Sequence, residues 1–430
     1  MLRRVYNELE HEPAAAPGFK AFDEAFEPRD LGSIMHRRLS RWNVWNMSMP
    51  RNTRTVGEAP GGNIASATPG DLLRTLVCSA GSMLKELLSI PYGDQVAPER
   101  DSISGRIYES VGKVLERGVR AAYGWMLEHP QPSQQALRVL QAMLHSVNSV
   151  IEMTTTSYLA WHTLDYVLAA LRGALAYRLR CDADFEHPAL EAQDYRAFLR
   201  AHGLHRRSVH GPFVDVIYHA AFSYKEGDTA RPTVAAGTAL RLSLQAGLAY
   251  KGAAYYKMRG GMGDTVFAPL YRVLRRRGVK FAFFHRVTAY RLDPETRTRV
   301  TKIEVDVQAK SRAEQPYEPL ITTTASKPCL AFPSTPLVEQ LEAAGDLSRT
   351  DSYYDSTVAQ RRTLELGVDF DIVVAATPIE TLHHIASELV AARPDTWGAM
   401  VQHVTAVQTA SAQLYFDRPL RELGWKQPRF

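Results

Sequence analysis

Cysteine is scarce in this chain, and its scarcity excludes two classes of protein. The 430 residues include three cysteines, Cys78, Cys181 and Cys329, and no two of them have the spacing of a CxxC motif. Disulfide scaffolds and structural zinc sites need cysteines in larger number or in close pairs. The three residues therefore predict reduced thiols, and with them a cytoplasmic location.

Long apolar runs are also lacking. The most apolar stretch, SYLAWHTLDYVLAALRGALAY, is interrupted by His162, Asp165 and Arg172, whereas a membrane-spanning helix needs about 20 predominantly apolar residues. The beginning of the chain, MLRRVYNELEHEP, has no apolar segment of the kind found in secretory signal peptides. We expect no membrane span, although a peripheral contact with a membrane surface stays open.

Neither sign of charge dominates. The 51 Lys and Arg residues nearly balance the 46 Asp and Glu residues, for a net charge of +5, and the charges are interspersed. This balance, without a long basic tail, argues against a nucleic-acid partner. A chain of this length exceeds what one hydrophobic core usually holds, so we expect two or more domains.

Helical patterns dominate the middle of the sequence. Two sets of apolar residues follow the spacing that places side chains on one face of a helix: Leu137, Leu140, Leu144, Val147 and Ile151, then Leu164, Leu168, Leu171 and Leu175. We interpret them as core-facing stripes. The predicted organisation is an irregular segment at 1–70 with one short strand, a helical substrate domain at 71–255, a partial cofactor domain at 256–385, and a return to helix and strand at 386–430.

Strand patterns appear late in the chain. FAFFHRVTAYRL, the turn DPETRT and TKIEVDVQ together predict a β-hairpin, because Ile303, Val305 and Val307 alternate with charged residues. FDIVVAATP has the form of a strand buried on both faces, and TAVQTASAQLYFD is a further strand candidate. Helices followed by strands and helices predict a mixed α/β fold with an inserted helical domain.

The stretch MRGGMGDTVF at 258–267 is the richest in glycine. A dinucleotide-binding motif needs GxGxxG between a buried strand and a helix, and a second strand ending in an acid. Here Val266 replaces the third glycine, and the following strand ends at His285 and Arg286. The pattern imitates an NADP-binding motif without meeting it, and the absence of GK[ST] excludes a P-loop. Pro269, close to the helix start, indicates a turn longer than the glycines suggest.

Histidines give no metal-binding pattern. His383 and His384 are adjacent and point to different sides of a helix, which disfavours a shared metal. His205 and His210 lie in a predicted loop, AHGLHRRSVHGPF, with no cysteine or carboxylate nearby in sequence. We interpret them as surface or capping residues, and we predict no metal site.

GGMGDTVFAPLYRVLRRRGVKFAFFHRVTAYRLDP, followed after a long gap by FDIVVAATP, resembles the FAD-dependent amine oxidase and phytoene desaturase superfamily. The resemblance covers roughly 50 residues in the family's order. It implies an FAD/NAD(P)-binding domain with an inserted helical substrate domain. The family's GxGxxG segment, which normally precedes this region, and its closing flavin-binding segment have no counterpart here, so the resemblance implies an incomplete cofactor domain.

The resemblance also implies cofactor-binding residues. Gly260, Gly261 and Gly263 would form the turn near the adenine side of FAD, and Val287 would contribute backbone contacts to adenine. The segment from Asp371 to Pro378 would return as a strand to the same sheet, with Ala376 at the cofactor. The resemblance identifies no catalytic acid or base.

Two functions of different classes follow. The first is a flavin-dependent oxidoreductase that transfers hydride from a C–H bond of an amine or an apolar, lipid-like substrate to FAD. The second is a non-catalytic binding protein on the same fold, and an NADP-binding protein is a third alternative. The first fits a chain that represents part of a longer flavoprotein, which is the interpretation we favour, and the second fits a degenerate homologue that binds no flavin.

Overall fold

A computed structural model describes residues 1–10, 17–38, 41–48, 51, 134–146, 155–177, 187–248, 250–312, 316–324, 327–342, 347, 350, 352, 355–412 and 414–425. The chain divides into two compact units. Met1–Glu27 and Met258–Gln408 form the mixed unit, which contains helices and strands. Pro28–Lys257 and Thr409–Phe430 form the helical unit, in which helices prevail.

Helices and strands both contribute substantially, as the sequence predicts. The described helices are α1 (Leu2–Leu9), α2 (Phe22–Ala25), α3 (Gln134–Ser146), α4 (Thr155–Ala176), α5 (Pro188–Glu191), α6 (Tyr195–Ala201), α7 (Pro212–Ala220), α8 (Ala236–Leu248), α9 (Ala268–Arg276), α10 (Leu382–Ile385), α11 (Ser387–Ala392) and α12 (Ala399–His403). The described strands are β1 (Phe26–Arg29), β2 (Leu31–Arg38), β3 (Arg41–Ser48), β4 (Tyr255–Met258), β5 (His285–Leu292), β6 (Val300–Val307), β7 (Ile321–Thr322), β8 (Leu330–Ala331) and β9 (Gln360–Glu365).

The core of the helical unit lies among α4, α6, α7 and α8. Both predicted stripes contribute to burial: Leu137, Leu144, Leu168 and Leu171 are buried, whereas Val147 and Ile151 lie outside the described residues. Local signals set the ends of the short helices. Asp194 accepts the N–H groups of Arg196 and Ala197 at the start of α6, which satisfies donors that a helix leaves unpaired.

Within the predicted irregular segment at 1–70, the residues that the structure describes contain more helix and strand than the sequence predicted. The strand expected at RWNVWNMSM is present as β3, but it pairs with β2 in an antiparallel hairpin, and α1 precedes both. The missed helix is amphipathic: Val5 and Leu9 pack on Val273 of α9. Tertiary contacts therefore stabilise a helix that is too short to persist alone.

The region after the glycines follows the prediction closely. A π-turn, Gly263–Phe267, precedes α9, and the N–H of Ala268 bonds to the carbonyl of Gly263 five residues earlier. Pro269 then falls in the first turn of α9, where its missing N–H costs no helical bond. The predicted longer turn is thus confirmed. Gly278, at φ +86°, ends the helix in a conformation that favours glycine.

The predicted hairpin is confirmed as β5 and β6, with Val287 opposite Val305. Its turn is stabilised by Asp293, whose carboxylate accepts the N–H groups of Glu295 and Thr296. β9 pairs with the other side of β6, so the sheet has the order β5-β6-β9. Apolar residues of this sheet pack on Leu382, Ala386 and Val401, which belong to α10 and α12 or lie beside them.

Two predicted strands are wrong. The segment from Asp371 to Pro378 joins no described sheet. Ile372 and Val374 are exposed, at 84% and 85%, and Val373 between them is half-buried against the core of the mixed unit. Residues 405–416, within TAVQTASAQLYFD, also form no strand where they are described. Apolar composition favours a strand only if a neighbouring strand takes up the backbone hydrogen bonds, and no described strand does so here.

None of the described helices is both long enough and apolar enough to cross a bilayer.

The buried ring of Phe198 gives a test of the helical core. Phe198→Ala should lower the free energy of unfolding of the helical unit by about 3–5 kcal/mol, because it removes a fully buried aromatic side chain. Leu242→Ala is the matched control, since Leu242 is 51% exposed, and it should change the stability by less than about 0.5 kcal/mol. Equal effects of the two substitutions in urea unfolding would contradict this packing.

Candidate functional site

The glycine-rich turn begins the π-turn and α9 through a compact set of hydrogen bonds. The carbonyl of Gly261 accepts the N–H of Thr265 at 3.0 Å and its hydroxyl at 2.8 Å. In return, the carboxylate of Asp264 accepts the N–H of Gly261 at 3.1 Å. The N–H of Gly261 is therefore already engaged by an anionic side chain, and this turn does not present it to a phosphate group.

Backbone conformation does not explain these glycines, and lack of space explains one of them, Gly260. Gly260, Gly261 and Gly263 are absent from the positive-φ positions. A Cβ at Gly260 would lie 3.0 Å from the Asp264 carboxylate, and one at Gly263 would lie 3.5 Å from the carbonyl of Phe332. At Gly261 the nearest atom would be 3.7 Å away, an ordinary contact. The protein itself thus leaves room for a side chain at Gly261.

Tyr6 of α1 holds the turn in place. The hydroxyl of Tyr6 donates to the carbonyl of Thr265 at 2.8 Å, and the Tyr6 ring is fully buried. Burial raises the pKa of Tyr6 well above its ordinary range, so it stays a neutral donor. Burial, followed by the charge of Asp264, also raises the pKa of the Cys329 thiol. Both groups are protonated at neutral pH and serve as structural supports.

Val287 lies on β5, which is an edge strand of its sheet. Its side chain packs into the core beside Tyr290 and Leu382. The register shifts between Val287 and Ala289, so Thr288 is the extra residue of a β-bulge. An edge strand has backbone groups that its sheet does not use, and a bulge frees further ones. The described sheet therefore does not use all the backbone groups around Val287.

No described sheet brings Ala376 to the other residues predicted to bind the cofactor. It is exposed, and the segment 371–378 around it does not form the predicted return strand. In the NADP-binding alternative, Arg286 would contact the 2′-phosphate of NADP. Its guanidinium donates to Asp306 at 2.9 Å and lies 3.7 Å from Asp355. Its guanidinium already bonds to carboxylates, which disfavours a 2′-phosphate at this position.

The helical unit contains a second polar cluster, built around Asp165 on α4. This side chain is 0% exposed. Its carboxylate accepts Nε2–H of His145 at 2.7 Å and the backbone N–H of His205 at 3.0 Å, and Gln141 lies at 3.4 Å. His205 was predicted to be a surface or capping residue with no carboxylate nearby in sequence, and the fold brings Asp165 to it. The contact joins residues that are 40 positions apart, so local sequence does not reveal it.

Aromatic rings surround this cluster. Trp161 is buried and donates to the carbonyl of Leu144 at 2.9 Å. Its ring lies edge-on to His162 and His205, with centroids 4.9 Å and 5.2 Å away. The rings of His145 and His205 are 4.9 Å apart. Burial, followed by the neighbouring His145, lowers the pKa of His205.

The Asp165–His145 pair has the geometry of an oriented imidazole. A buried carboxylate that binds one ring nitrogen fixes the orientation of the ring and leaves the other nitrogen for a second partner, an arrangement also found around general bases. The neighbouring pair, His162 Nδ1 and Ser208 Oγ at 2.9 Å, is 2% and 1% exposed, so it is structural. One signal did point to the cluster: His162 and Asp165 interrupt an otherwise apolar helix, and buried polar residues need partners.

Within the described ranges, no group of three or more His, Cys, Asp or Glu side chains is placed to hold a metal ion. His383 and His384 lie on α10, and both are exposed.

Comparison with protein-family models, with curated proteins and with solved structures found no match for this chain.

The helical unit should lose stability as pH falls below about 6.5, the ordinary histidine value. Burial lowers the pKa of both His202 and His205. The unfolded chain then binds protons first, so their contribution to stability is present above the unfolded pKa and is lost as pH falls through the folded pKa. Thermal unfolding between pH 7.5 and 5.5 measures this slope.

The double variant His202→Gln/His205→Gln should flatten that slope, because glutamine does not titrate. His210→Gln is the control, since the His210 side chain is 73% exposed. An unchanged slope in the double variant would show that other groups set the pH dependence.

Asp165→Asn should destabilise the helical unit by about 2 kcal/mol. The amide has one oxygen in place of two, so either His145 or the N–H of His205 loses its acceptor inside the protein. Glu226→Gln is the control, because Glu226 is 67% exposed in its ion pair with Arg231 and such pairs contribute about 0–1 kcal/mol. Equal losses in urea unfolding would refute the importance of Asp165.

Proposed function

We propose that this chain is a flavin-dependent oxidoreductase whose mixed unit binds the adenosine end of FAD. The observation that carries the proposal is the bulged edge strand β5, with Val287 at the bulge, in the same unit as the glycine turn. Bulges and π-turns are both frequent next to functional sites. The resemblance to amine oxidases and phytoene desaturases implies the same two elements.

Adenine suits the backbone at Val287. Its ring edge presents a hydrogen-bond donor beside an acceptor, and a backbone N–H and C=O on an open strand edge complement that pair. The side chain of Val287 points into the core with Tyr290, which fixes the strand without occupying its edge. Recognition by backbone leaves the side chain free to stabilise the fold.

The glycine turn suits a ribose better than a phosphate. The Asp264 carboxylate repels a pyrophosphate but accepts hydrogen bonds from sugar hydroxyls, as acids do in dinucleotide-binding folds. Gly261 leaves space for close approach, since a Cβ there would meet no atom within 3.7 Å. The residues of the turn therefore fit the adenosine of FAD and do not fit its pyrophosphate.

When bound, the flavin supplies the acceptor for a hydride from a substrate C–H bond. The protein then has to bind and orient the substrate and exclude water. We assign substrate recognition to the helical unit, and an amine or an apolar, lipid-like molecule as the substrate class. The proposed compartment is the cytoplasm.

A second candidate, a non-catalytic adenosine-binding protein on the same fold, is favoured by one observation. The turn suits a ribose but not the pyrophosphate beyond it, because Asp264 already accepts the N–H of Gly261. Such a protein would bind FAD and ADP equally well, whereas a flavoenzyme should bind FAD at least about tenfold more tightly, a difference of about 1.4 kcal/mol.

Binding assays with FAD, ADP and FMN test the proposal. FAD and ADP should bind and FMN should not, because FMN lacks adenosine. FAD at a hundred times its Kd should stabilise the mixed unit by about 2.7 kcal/mol. Gly261→Ala should weaken FAD and ADP binding at least about tenfold (about 1.4 kcal/mol) and leave the melting temperature unchanged, because a Cβ fits there in the free protein.

Gly398→Ala is the matched control. A Cβ at Gly398 would make ordinary contacts from 3.6 Å, its φ is −61°, and it lies away from the glycine turn in sequence. It should change neither stability nor binding. FMN binding as tight as FAD binding would overturn adenosine recognition, and absence of FAD binding would overturn the proposal as a whole.

A further inference from the structure

The β2–β3 hairpin has two faces of different character. On one face Ile34 is buried, at 8% exposure, and the ring of Tyr255 lies so close to Gly32 that a side chain at Gly32 would touch it. Residues on the other face are open: Met35 is 55% exposed and Trp42 is 65% exposed. Because side chains alternate along a strand, one face packs on the protein and the other faces solvent.

The open face combines a large aromatic, an aliphatic side chain and a positive charge. In the register, Met35 is opposite Val44, and Arg37 is opposite Trp42. Cross-strand partners share a face, so these four residues form one patch, which we name the hairpin patch. Arg37 is exposed like Trp42 and Met35, and Val44 is half-buried.

Charge at this end of the hairpin has one sign. The 18 residues from Leu31 to Ser48 contain three arginines and no Asp or Glu. Arg38 and Arg41 are opposite each other at the last register position, next to the Arg37–Trp42 pair. The hairpin therefore carries a local positive charge, although the chain as a whole is close to neutral.

We propose that the hairpin patch binds the surface of an anionic membrane. Tryptophan is enriched at the boundary between lipid headgroups and hydrocarbon, where its ring is buried and its N–H stays near water. Methionine and valine beside it add apolar area that enters the same boundary. Arg37, opposite Trp42 in the register, supplies a guanidinium that pairs with lipid phosphates.

This composition favours a membrane over a single-stranded nucleic acid. Both ligands attract arginine and an aromatic ring, but a nucleic acid uses rings as platforms for stacked bases. Met35 and Val44 offer no such platform, whereas both suit lipid hydrocarbon. The proposal is independent of flavin binding, and it places the protein where a lipid-like substrate would be found.

Vesicle co-sedimentation with the full chain tests the proposal. Phosphatidylcholine vesicles with about 30% phosphatidylserine provide negative charge, as the cytoplasmic leaflet does. Binding to them should exceed binding to pure phosphatidylcholine by at least about fivefold, since an arginine near such a surface contributes about that factor and Arg37 lies on the patch. Raising the ionic strength from about 0.1 M to 1 M should abolish most of the difference, because the Debye length falls from about 10 Å to 3 Å.

Two single substitutions locate the surface. Arg37→Glu should weaken binding to anionic vesicles at least about fivefold. Trp42→Ala should weaken binding to anionic and neutral vesicles alike, because it removes apolar contact. Arg200→Glu and Leu242→Ala are matched controls at exposed positions of the helical unit, and they should have no effect on vesicle binding. Circular dichroism checks that each variant is folded.

Absence of vesicle binding, equal binding to neutral and anionic vesicles, or equal effects of the patch and control variants would each overturn the proposal. Binding to single-stranded oligonucleotides that Trp42→Ala abolishes, without vesicle binding, would identify a nucleic-acid surface instead.

Discussion

The buried carboxylate of Asp165 is the constraint on which the organisation of the helical unit depends. A charge with no exposure needs hydrogen-bond donors on several sides, and here they come from α3 and from the loop at His205. The carboxylate therefore fixes the distance between α3 and α4 and determines the path of the loop. Trp161 and His205 are brought together by the same arrangement, so removal of one charge affects three segments at once.

The two candidate sites differ in the groups that would contact a ligand. In the mixed unit the proposed contacts come from the backbone at the bulge after Val287 and from the glycine turn, where the Asp264 carboxylate is the proposed partner of the ribose and Tyr6 supports the turn from within. In the helical unit the polar groups are the side chains of His145 and Asp165. A backbone contact tolerates substitutions that preserve the fold, whereas a side-chain contact does not, so substitutions at Val287 and at Asp264 should have different consequences.

Local patterns predicted those elements whose partners are close in sequence. The hairpin of β5 and β6 needs only alternation and the Asp293 turn, and Pro269 revealed the long turn before α9. Contacts across long separations were missed: α1 forms because α9 covers Val5 and Leu9, and His145 meets Asp165 across 20 residues. FDIVVAATP failed for a related reason, since apolar composition cannot show whether a neighbouring strand is present.

The exposed run at Ile372 and Val374 has a consequence for how the protein is obtained in folded form. Exposed apolar side chains in a segment that joins no described sheet are able to associate with the same run of another copy. Association of two copies is second order in protein, while folding of one chain is first order, so the two processes compete differently at each dilution. We therefore expect the yield of refolded protein to fall as its concentration rises.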